Sequence, residues 1–400
     1  MRFYTRVIGL VVLATIAIFS LWGRSHGEAS VKVSDIVSDL HRREGSIQDD
    51  ILDEAHVANR RGHLVPLLQD NLESPQVADI DISDGRKLYN IDLLPDLRAQ
   101  YVDAMICSDE RTIGGMVALV NSILSNTNTT VFFHLVTVKS QMEHLEEWIL
   151  AALPDIVMEI VPFEADLTER LQLRGNTRKE LSSALNFARF WMPSLFPHVL
   201  GRILYLDDDV IVLGDVNEMK HQPIKKGHVI AASADSKNTI GNFLNFDNPT
   251  VQNLGIGKDV QSFNAGVFVC DLDEWRKKNV TENVIYWMER NTKEHIYGGG
   301  IAGGASQPPM LIALHGLVTP LAQVWHVRHF GWWMGNHYKL DITKQAKLMH
   351  WNGGFKPWKS GKASKFAFVW HKYYFPDPWG QFTVVPPDGP AMKLPKKSKK

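Results

Sequence analysis

Asp207-Asp208-Asp209 interrupts an otherwise apolar run, with Ile203-Leu204-Tyr205-Leu206 before it and Val210-Ile211-Val212-Leu213 after it. An unpaired carboxylate in such surroundings is strongly disfavoured. A divalent cation would supply the missing counter-charge. If the backbone is extended there, alternate side chains share a face, so Asp207 and Asp209 point together and Asp208 points away. Two hard oxygen ligands suit Mn²⁺ or Mg²⁺ better than a soft metal. A tight acidic turn between two strands would give the same residues without any metal, and the run alone leaves both readings open.

A second chemical segment lies downstream, His350-Trp351-Asn352-Gly353-Gly354-Phe355-Lys356-Pro357-Trp358. His350 offers a ring nitrogen to a metal. Gly353 lets the backbone approach an anionic ligand, and Lys356 would place a compact positive charge on a phosphate. Trp351 and Trp358 would wall the segment from solvent. Alone, the segment reads equally as an aromatic packing loop. His326-Val327-Arg328-His329 resembles a ligand pair at one helical turn. It has no acidic neighbour, so it is read as surface or acceptor-groove packing. Trp332-Trp333 reads as a sugar-stacking platform or as core. Asp271 and Asp273 read as caps of the following helix. Gly298-Gly299-Gly300 and Gly303-Gly304 read as a lid hinge or a plain surface loop.

These groups need a frame, and the pattern around them is an alternation of strand and helix. Strand-like runs are Asp103 to Cys107, Val131 to Val138, Ile156 to Val161, Arg202 to Leu213, Val229 to Ser233 and Ser262 to Cys270. Helical spacing occurs at Gly114 to Leu124, Leu145 to Leu153, Ser182 to Leu195, Thr281 to Arg290 and Pro308 to Leu314. Such alternation predicts an α/β fold with a mixed, mostly parallel sheet flanked by helices. In such sheets ligands bind at the carboxyl ends of strands, where the aspartates fall. No internal repeat is visible.

The first residues suggest a membrane anchor. Val7 to Trp22 is apolar and uncharged, follows Arg2 and Arg6, and precedes Arg24 without a clear cleavage site. Its length is slightly below the usual span of about 17–25 residues, and the basic flank places the short terminus in the cytosol. The expected organisation is a cytosolic tail at 1–6, a signal anchor at 7–22 and a polar stem at 23–100, with a helical patch at Val33 to Leu40. A catalytic domain at 101–376 and a disordered tail at 377–400 follow. The protein would be a single-pass type II protein of the Golgi or endoplasmic reticulum, with its body in the lumen. A cleaved signal peptide and a secreted product is the alternative. The sequons at Asn128 and Asn279 agree with a luminal body.

Composition excludes other classes. With 400 residues, 44% of them apolar, the chain can bury a full core, and its net charge of −1 gives no field that would attract nucleic acid. Two cysteines, Cys107 and Cys270, exclude a disulfide framework. Both read as small buried residues, with a single bridge between them left open. A nucleotidyltransferase would need a Gly-rich phosphate loop before the first helix, and residues 109–115 supply only Gly114-Gly115.

The ordered motifs then carry a resemblance. They are Ile106-Cys107-Ser108-Asp109, Phe187-Ala188-Arg189-Phe190, Leu204 through Val210, Phe263-Asn264-Ala265-Gly266-Val267, and His350 through Trp358. Over about residues 102 to 375 the chain resembles the family 8 glycosyltransferases, retaining enzymes with a GT-A (Rossmann-like) fold. It looks closest to the animal glycosyltransferase 8 domain-containing proteins. The resemblance implies transfer of a hexosyl group from a nucleoside diphosphate sugar, UDP-linked, to a glycan or protein acceptor. It implies Mn²⁺, or Mg²⁺, held by Asp207, Asp209 and His350. It also implies a donor site of Ser108, Asp109, Arg189, Asp208, Asn264, Ala265, Gly353 and Lys356. Asp208, Arg189 and Gln307 would stand at the reacting end. Bacterial members carry Asp-Gln-Asp beside the donor sugar, whereas this chain has Ser306-Gln307-Pro308-Pro309. Nor is the uracil-stacking aromatic of some members evident near Arg111-Thr112. A catalytically silent UDP-sugar-binding protein is the alternative to turnover.

Overall fold

The computed structural model describes residues 83–96, 98–163, 183–298, 306–332 and 340–389. All belong to the second of the two units into which the chain divides, residues 61–400. The expected cytosolic tail, anchor and helical patch, most of the stem, residues 299–305 of the glycine cluster, Trp333 and residues 390–400 lie outside them. Among the described residues no helix is long and apolar enough to cross a membrane.

The centre is a mixed eight-stranded sheet. Its strands are β1 (Lys87–Tyr89), β2 (Tyr101–Cys107), β3 (Thr130–Thr137), β4 (Met158–Pro162), β5 (Arg202–Asp207), β7 (Ile230–Thr239), β8 (Gln261–Asp271) and β9 (Val318–Pro320). A separate two-stranded ladder joins β6 (Val210–Val212) to β10 (Leu348–His350). The order in the large sheet is β1-β4-β3-β2-β5-β8-β7-β9. Strands β4, β3, β2 and β5 are parallel, and β8 runs against both β5 and β7. β2 is buried along its whole length. Helices cover a parallel sheet on both faces, so its central strands read as continuous apolar runs. One core layer holds Val102, Ile106, Val120 and Leu204, and the other holds Met105, Phe187, Tyr205 and Phe268.

The helices expected at Gly114 to Leu124, Leu145 to Leu153, Thr281 to Arg290 and Pro308 to Leu314 are present, over Ile113–Asn126, Met142–Ala152, Val280–Glu294 and Gln307–Ala313. In Ile113–Asn126 the buried Ile113, Met116, Val117, Val120 and Ile123 recur at helical spacing. Gly115 faces the aspartate turn, and a Cβ there would stand 2.3 Å from the Asp208 carbonyl oxygen. Asp271 caps the helix Leu272–Lys277, accepting from the Glu274 amide at 3.0 Å, as its position predicts. Cys107 and Cys270 are buried free thiols, without the bridge left open above.

Four expectations are corrected. The run Arg202 to Leu213 is not one strand: β5 ends at Asp207, the chain turns at Asp208-Asp209, and β6 joins the other ladder. Hydrophobicity cannot distinguish one long strand from two short ones in different sheets. The segment Ser182 to Leu195 is a 3-10 helix over Ala184–Trp191 followed by a short α-helix, Met192–Leu195. The three-residue repeat of a 3-10 helix stacks side chains at i and i+3, which puts Phe187 and Phe190 on one buried face. The stem does not extend to residue 100, because β1 pairs antiparallel with β4 and Arg86 reaches the buried Glu159 at 2.6 Å. Nor is 377–389 a loose tail. Asp377 accepts from His144 at 2.7 Å, and Phe382 packs on Trp148 and Trp358. The contacts that hold these two flanks come from residues distant in sequence, so local composition does not report them.

Candidate active site

The sheet contains a topological switch point. β2 continues outward to β3 on one side, while β5 lies on its other side, and the two are parallel with Cys107 opposite Asp207. Loops leaving such neighbours diverge and open a crevice at their carboxyl ends. Ser108 and Asp109 follow β2 there, and the aspartates follow β5. The crevice encloses about 390 Å³, within the usual range of ligand sites of roughly 300–1,000 Å³. Ser108, Asp109, Arg189, Asp208, Gly353 and Lys356 line it. It continues past Asp207 and Asp209 into a second hollow lined by Asn264, Ala265, Ser306 and Gln307.

The aspartate turn divides the side chains. Asp208 turns toward the end of β2, where its carboxylate accepts from the Ser108 hydroxyl at 2.8 Å. Burial raises its carboxyl to about 8, and the charge of Asp209 adds to the shift against hydrogen bonds from Thr112 and Ser108. Asp207 and Asp209 turn the other way and meet His350. The His350 Nε2 atom lies 2.9 Å from Asp209 Oδ1 and 3.9 Å from Asp207 Oδ2. The β6–β10 ladder makes this meeting, because His350 pairs with Val210 and the Trp351 amide donates to the Asp209 carbonyl at 2.9 Å.

The residues fit a divalent cation on two observations. Asp209 Oδ1 is buried without a hydrogen bond although it faces His350. Gly266 on β8 leaves the space that the three ligands need: a Cβ there would stand 2.3 Å from Asp207 Oδ2 and 2.7 Å from His350 Cε1. Burial alone would raise the Asp209 carboxyl, but the charges of His350 and Lys356 outweigh it and hold the group well below the usual carboxylate range.

Cations surround the site. Lys356 forms an ion pair with Asp209 Oδ2 and donates to the Trp351 carbonyl at 3.1 Å. Arg189, 4% exposed, places Nη2 3.0 Å from Asp207 Oδ1 and stacks over Tyr205 at 4.3 Å. Its other nitrogens donate to the carbonyls of Ala265 and Asn186. Asn264, within β8, accepts from the Gly266 amide two residues on at 2.9 Å. Gly353 has φ +116°, and a Cβ there would strike the Gly331 carbonyl at 2.5 Å. Asp109 is tied to Arg111, whose charge keeps the carboxyl low against the opposing effect of burial.

All the site residues expected from the sequence therefore line one continuous crevice. The two sequon asparagines, Asn128 and Asn279, lie apart from it on the exposed surface. The reading of His326-Val327-Arg328-His329 as surface or acceptor-groove packing is corrected on its first alternative: His326, Arg328 and His329 are buried. The segment is not helical but runs beside β10, with Val327 bridged to Met349, and His326 Nε2 lies 2.8 Å from His350 Nδ1. The partner missing from its neighbourhood in sequence is another histidine brought in by the fold. Asp235 and Asn238 also line the second hollow, joined at 3.0 Å, and no motif pointed to them.

Residues 103–362 match the family model described as Glycosyl transferase family 8. The chain belongs to that family. It is 35% identical over 337 residues to glycosyltransferase 8 domain-containing protein 1 of Xenopus laevis, covering 80% of this chain and 88% of that one. The Homo sapiens protein of the same name is 35% identical over 306 residues, covering 72% and 81%. Protein 2 of Bos taurus is 33% identical over 309 residues, covering 74% and 87%. Among solved structures, galactosyltransferase LgtC in complex with donor and acceptor sugar analogs superimposes with a TM-score of 0.52 at 16% identity, over 71% of this chain and 98% of that one. The apo structure of the bifunctional WbbM glycosyltransferase gives 0.54 at 19%, over 72% and 52%. At those identities the likeness is one of fold, and it is the GT-A fold. Family membership makes the chain a glycosyltransferase that binds a nucleotide-sugar donor and an acceptor.

Proposed function

We propose that the protein is a Mn²⁺-dependent retaining hexosyltransferase that uses a UDP-sugar. The observation that carries this reading is the convergence of Asp207, Asp209 and His350, whose ligand atoms all lie within 4.8 Å of one another at the switch-point crevice. Two carboxylates and an imidazole suit Mn²⁺, with Mg²⁺ the alternative. When bound, the cation would neutralise the donor diphosphate and make it a better leaving group. The chain's own groups supply the rest. Lys356 and Arg189 stand at the rim of the cation site and would face the charge that grows on the diphosphate as its bond to the sugar breaks. That electron pair leaves with the diphosphate, and the acceptor hydroxyl forms the new bond and gives its proton to the departing diphosphate oxygen. Ser108, Asp109 and the Gly353 backbone would hold the nucleotide side. Asp208, Asn264, Ala265 and Gln307 would hold the sugar. The second hollow, beyond the cation residues, is where sugar and acceptor would meet. The apolar stretch 7–22 and the exposed sequons Asn128 and Asn279 accord with an anchored enzyme whose body lies in the Golgi lumen.

The test is calorimetric titration of UDP with and without Mn²⁺, on wild type and Asp209→Asn. Wild type should bind UDP with a marked Mn²⁺ requirement, and the variant should lose that requirement. Equal binding by the two proteins would remove Asp209 from the site. A UDP-sugar screen then separates turnover from silent binding.

A further inference from the structure

We propose that His326 is a positioning residue that sets the tautomer and ring orientation of His350 for the cation. This rests on the metal reading of Asp207, Asp209 and His350 given above.

The geometry supplies the argument. His350 presents Nε2 to the two aspartates, at 2.9 and 3.9 Å. A neutral imidazole that ligates through Nε2 must carry its proton on Nδ1. That Nδ1 faces His326 Nε2 at 2.8 Å, so with a cation on Nε2 His350 would donate and His326 accept. His326 then carries its own proton on Nδ1, an atom buried without a hydrogen-bond partner. The rings are nearly parallel, 14° apart, with centroids separated by 5.1 Å. Both are sealed from solvent, His326 fully and His350 to within 1%. No water can replace the acceptor if it is removed.

The backbone holds the pair in register. The His350 amide donates to the Val327 carbonyl at 2.8 Å, and the Val327 amide donates to the Leu348 carbonyl at 3.0 Å. β10 is in turn paired with β6, which carries Asp209 at its entrance. One ladder therefore fixes Asp209, His350 and His326 relative to each other. Outer partners of ligating histidines are usually carboxylates or carbonyls, and their loss typically costs about 10- to 100-fold in metal affinity. A second neutral imidazole meets the same need without adding negative charge beside two aspartates.

The experiment compares full-length wild type, His326→Leu, His326→Gln and Asp209→Asn, by Mn²⁺ titration in the presence of UDP. The rise in Tm on adding Mn²⁺ is the second readout. Leucine keeps roughly the volume and removes the acceptor. Glutamine places an oxygen near the Nε2 position. His326→Leu should bind Mn²⁺ about 10- to 100-fold more weakly and lose most of the Mn²⁺-induced rise in Tm. Glutamine should restore binding to within about threefold. Wild-type affinity in His326→Leu would overturn the proposal, and so would equal losses in the leucine and glutamine variants, which would mark a packing role. If His326→Leu fails to fold, the glutamine variant decides, since glutamine without wild-type-like Mn²⁺ affinity overturns the acceptor role. Asp209→Asn separates the two claims. Loss there with no loss at His326 overturns only the positioning role, whereas a wild type that ignores Mn²⁺ overturns the metal reading beneath it.

Discussion

Gly266→Ala adds a single methyl group where the structure leaves no room for one. Its Cβ would stand 2.3 Å from Asp207 Oδ2, 2.7 Å from His350 Cε1 and 3.0 Å from Asn264 Oδ1. An ordinary carbon–oxygen contact is about 3.5 Å, so the Asp207 carboxylate must retreat by roughly 1 Å. Neither side chain is free to move. Asp207 is held by Arg189 and Tyr205, both at 3.0 Å, and His350 is held by His326 and by its pairing with Val210 in the β6–β10 ladder. Gly266 is absent from the positive-φ glycines, so alanine meets no backbone strain and the effect is local. Overpacking should lower stability by about 1–3 kcal/mol, offset by up to about 1 kcal/mol from removing a strand glycine. The net is a modest fall in urea midpoint. Displacing a cation ligand by about 1 Å should cost up to about 100-fold in metal affinity, the upper end of what loss of ligand support costs, or about 2.7 kcal/mol. Mn²⁺-dependent UDP binding should therefore fall by up to about 100-fold while most of the fold stability remains. Titration calorimetry and urea melts on the same sample separate the two effects. Mn²⁺ affinity within about threefold of wild type, in a folded Gly266→Ala protein, would refute the reasoning that Gly266 makes room for a cation.

Arg189→Met should remove the buried partner of Asp207 while keeping length and packing over Tyr205. Breaking a buried pair costs about 3–5 kcal/mol, and the lower end is expected because the Asp207 side chain is 28% exposed; a urea midpoint equal to that of wild type would contradict it. A pH series tests the buried network away from the crevice, in which His134 lies 2.5 Å from Glu159 and 2.9 Å from Asp103. Burial alone would lower the His134 pKa, but the two carboxylates outweigh it and lift the group to about 9. Its contribution is complete below the unfolded value of about 6.5 and is lost as pH rises through about 9, a change on the order of 3 kcal/mol. Glu159 is held low by His134 and His198 against the opposing effect of burial, so its contribution is lost only on acidification below the ordinary carboxylate range. Tm should decline between pH 6.5 and 9 in wild type, and a His134→Gln variant should show a much flatter profile.

Much of the site could be read from sequence because its chemistry is written in runs. Three adjacent aspartates in an apolar stretch, and a histidine, glycine and lysine in one short segment, supply ligand-type groups; each run alone also fits a turn or a packing loop, and their order among the other family motifs is what joined them into a site. The strand and helix alternation from Tyr101 to Ala313 was equally legible, since central parallel strands are apolar on both faces. What failed depended on pairing. Whether Val210 to Val212 continues β5 or leaves it for β10 turns on which backbone lies alongside, and both choices need the same residues. β1 and the 377–389 segment escaped the reading because each is held by contacts to residues distant in sequence, Arg86 to Glu159 beside the first, and Asp377 to His144 and Phe382 to Trp148 and Trp358 in the second.

By itself, the sequence determined the ligand types, their order along the chain, the apolar runs that must become the central strands, and the family. Tertiary structure alone decided which atoms meet. It turned Asp208 toward Ser108, brought His350 to Asp207 and Asp209 through the β6–β10 ladder, and set His326 behind His350. The physical reason is that backbone hydrogen bonding across strands fixes these positions to within an ångström. Residue spacing says which groups are available and nothing about the register that joins them.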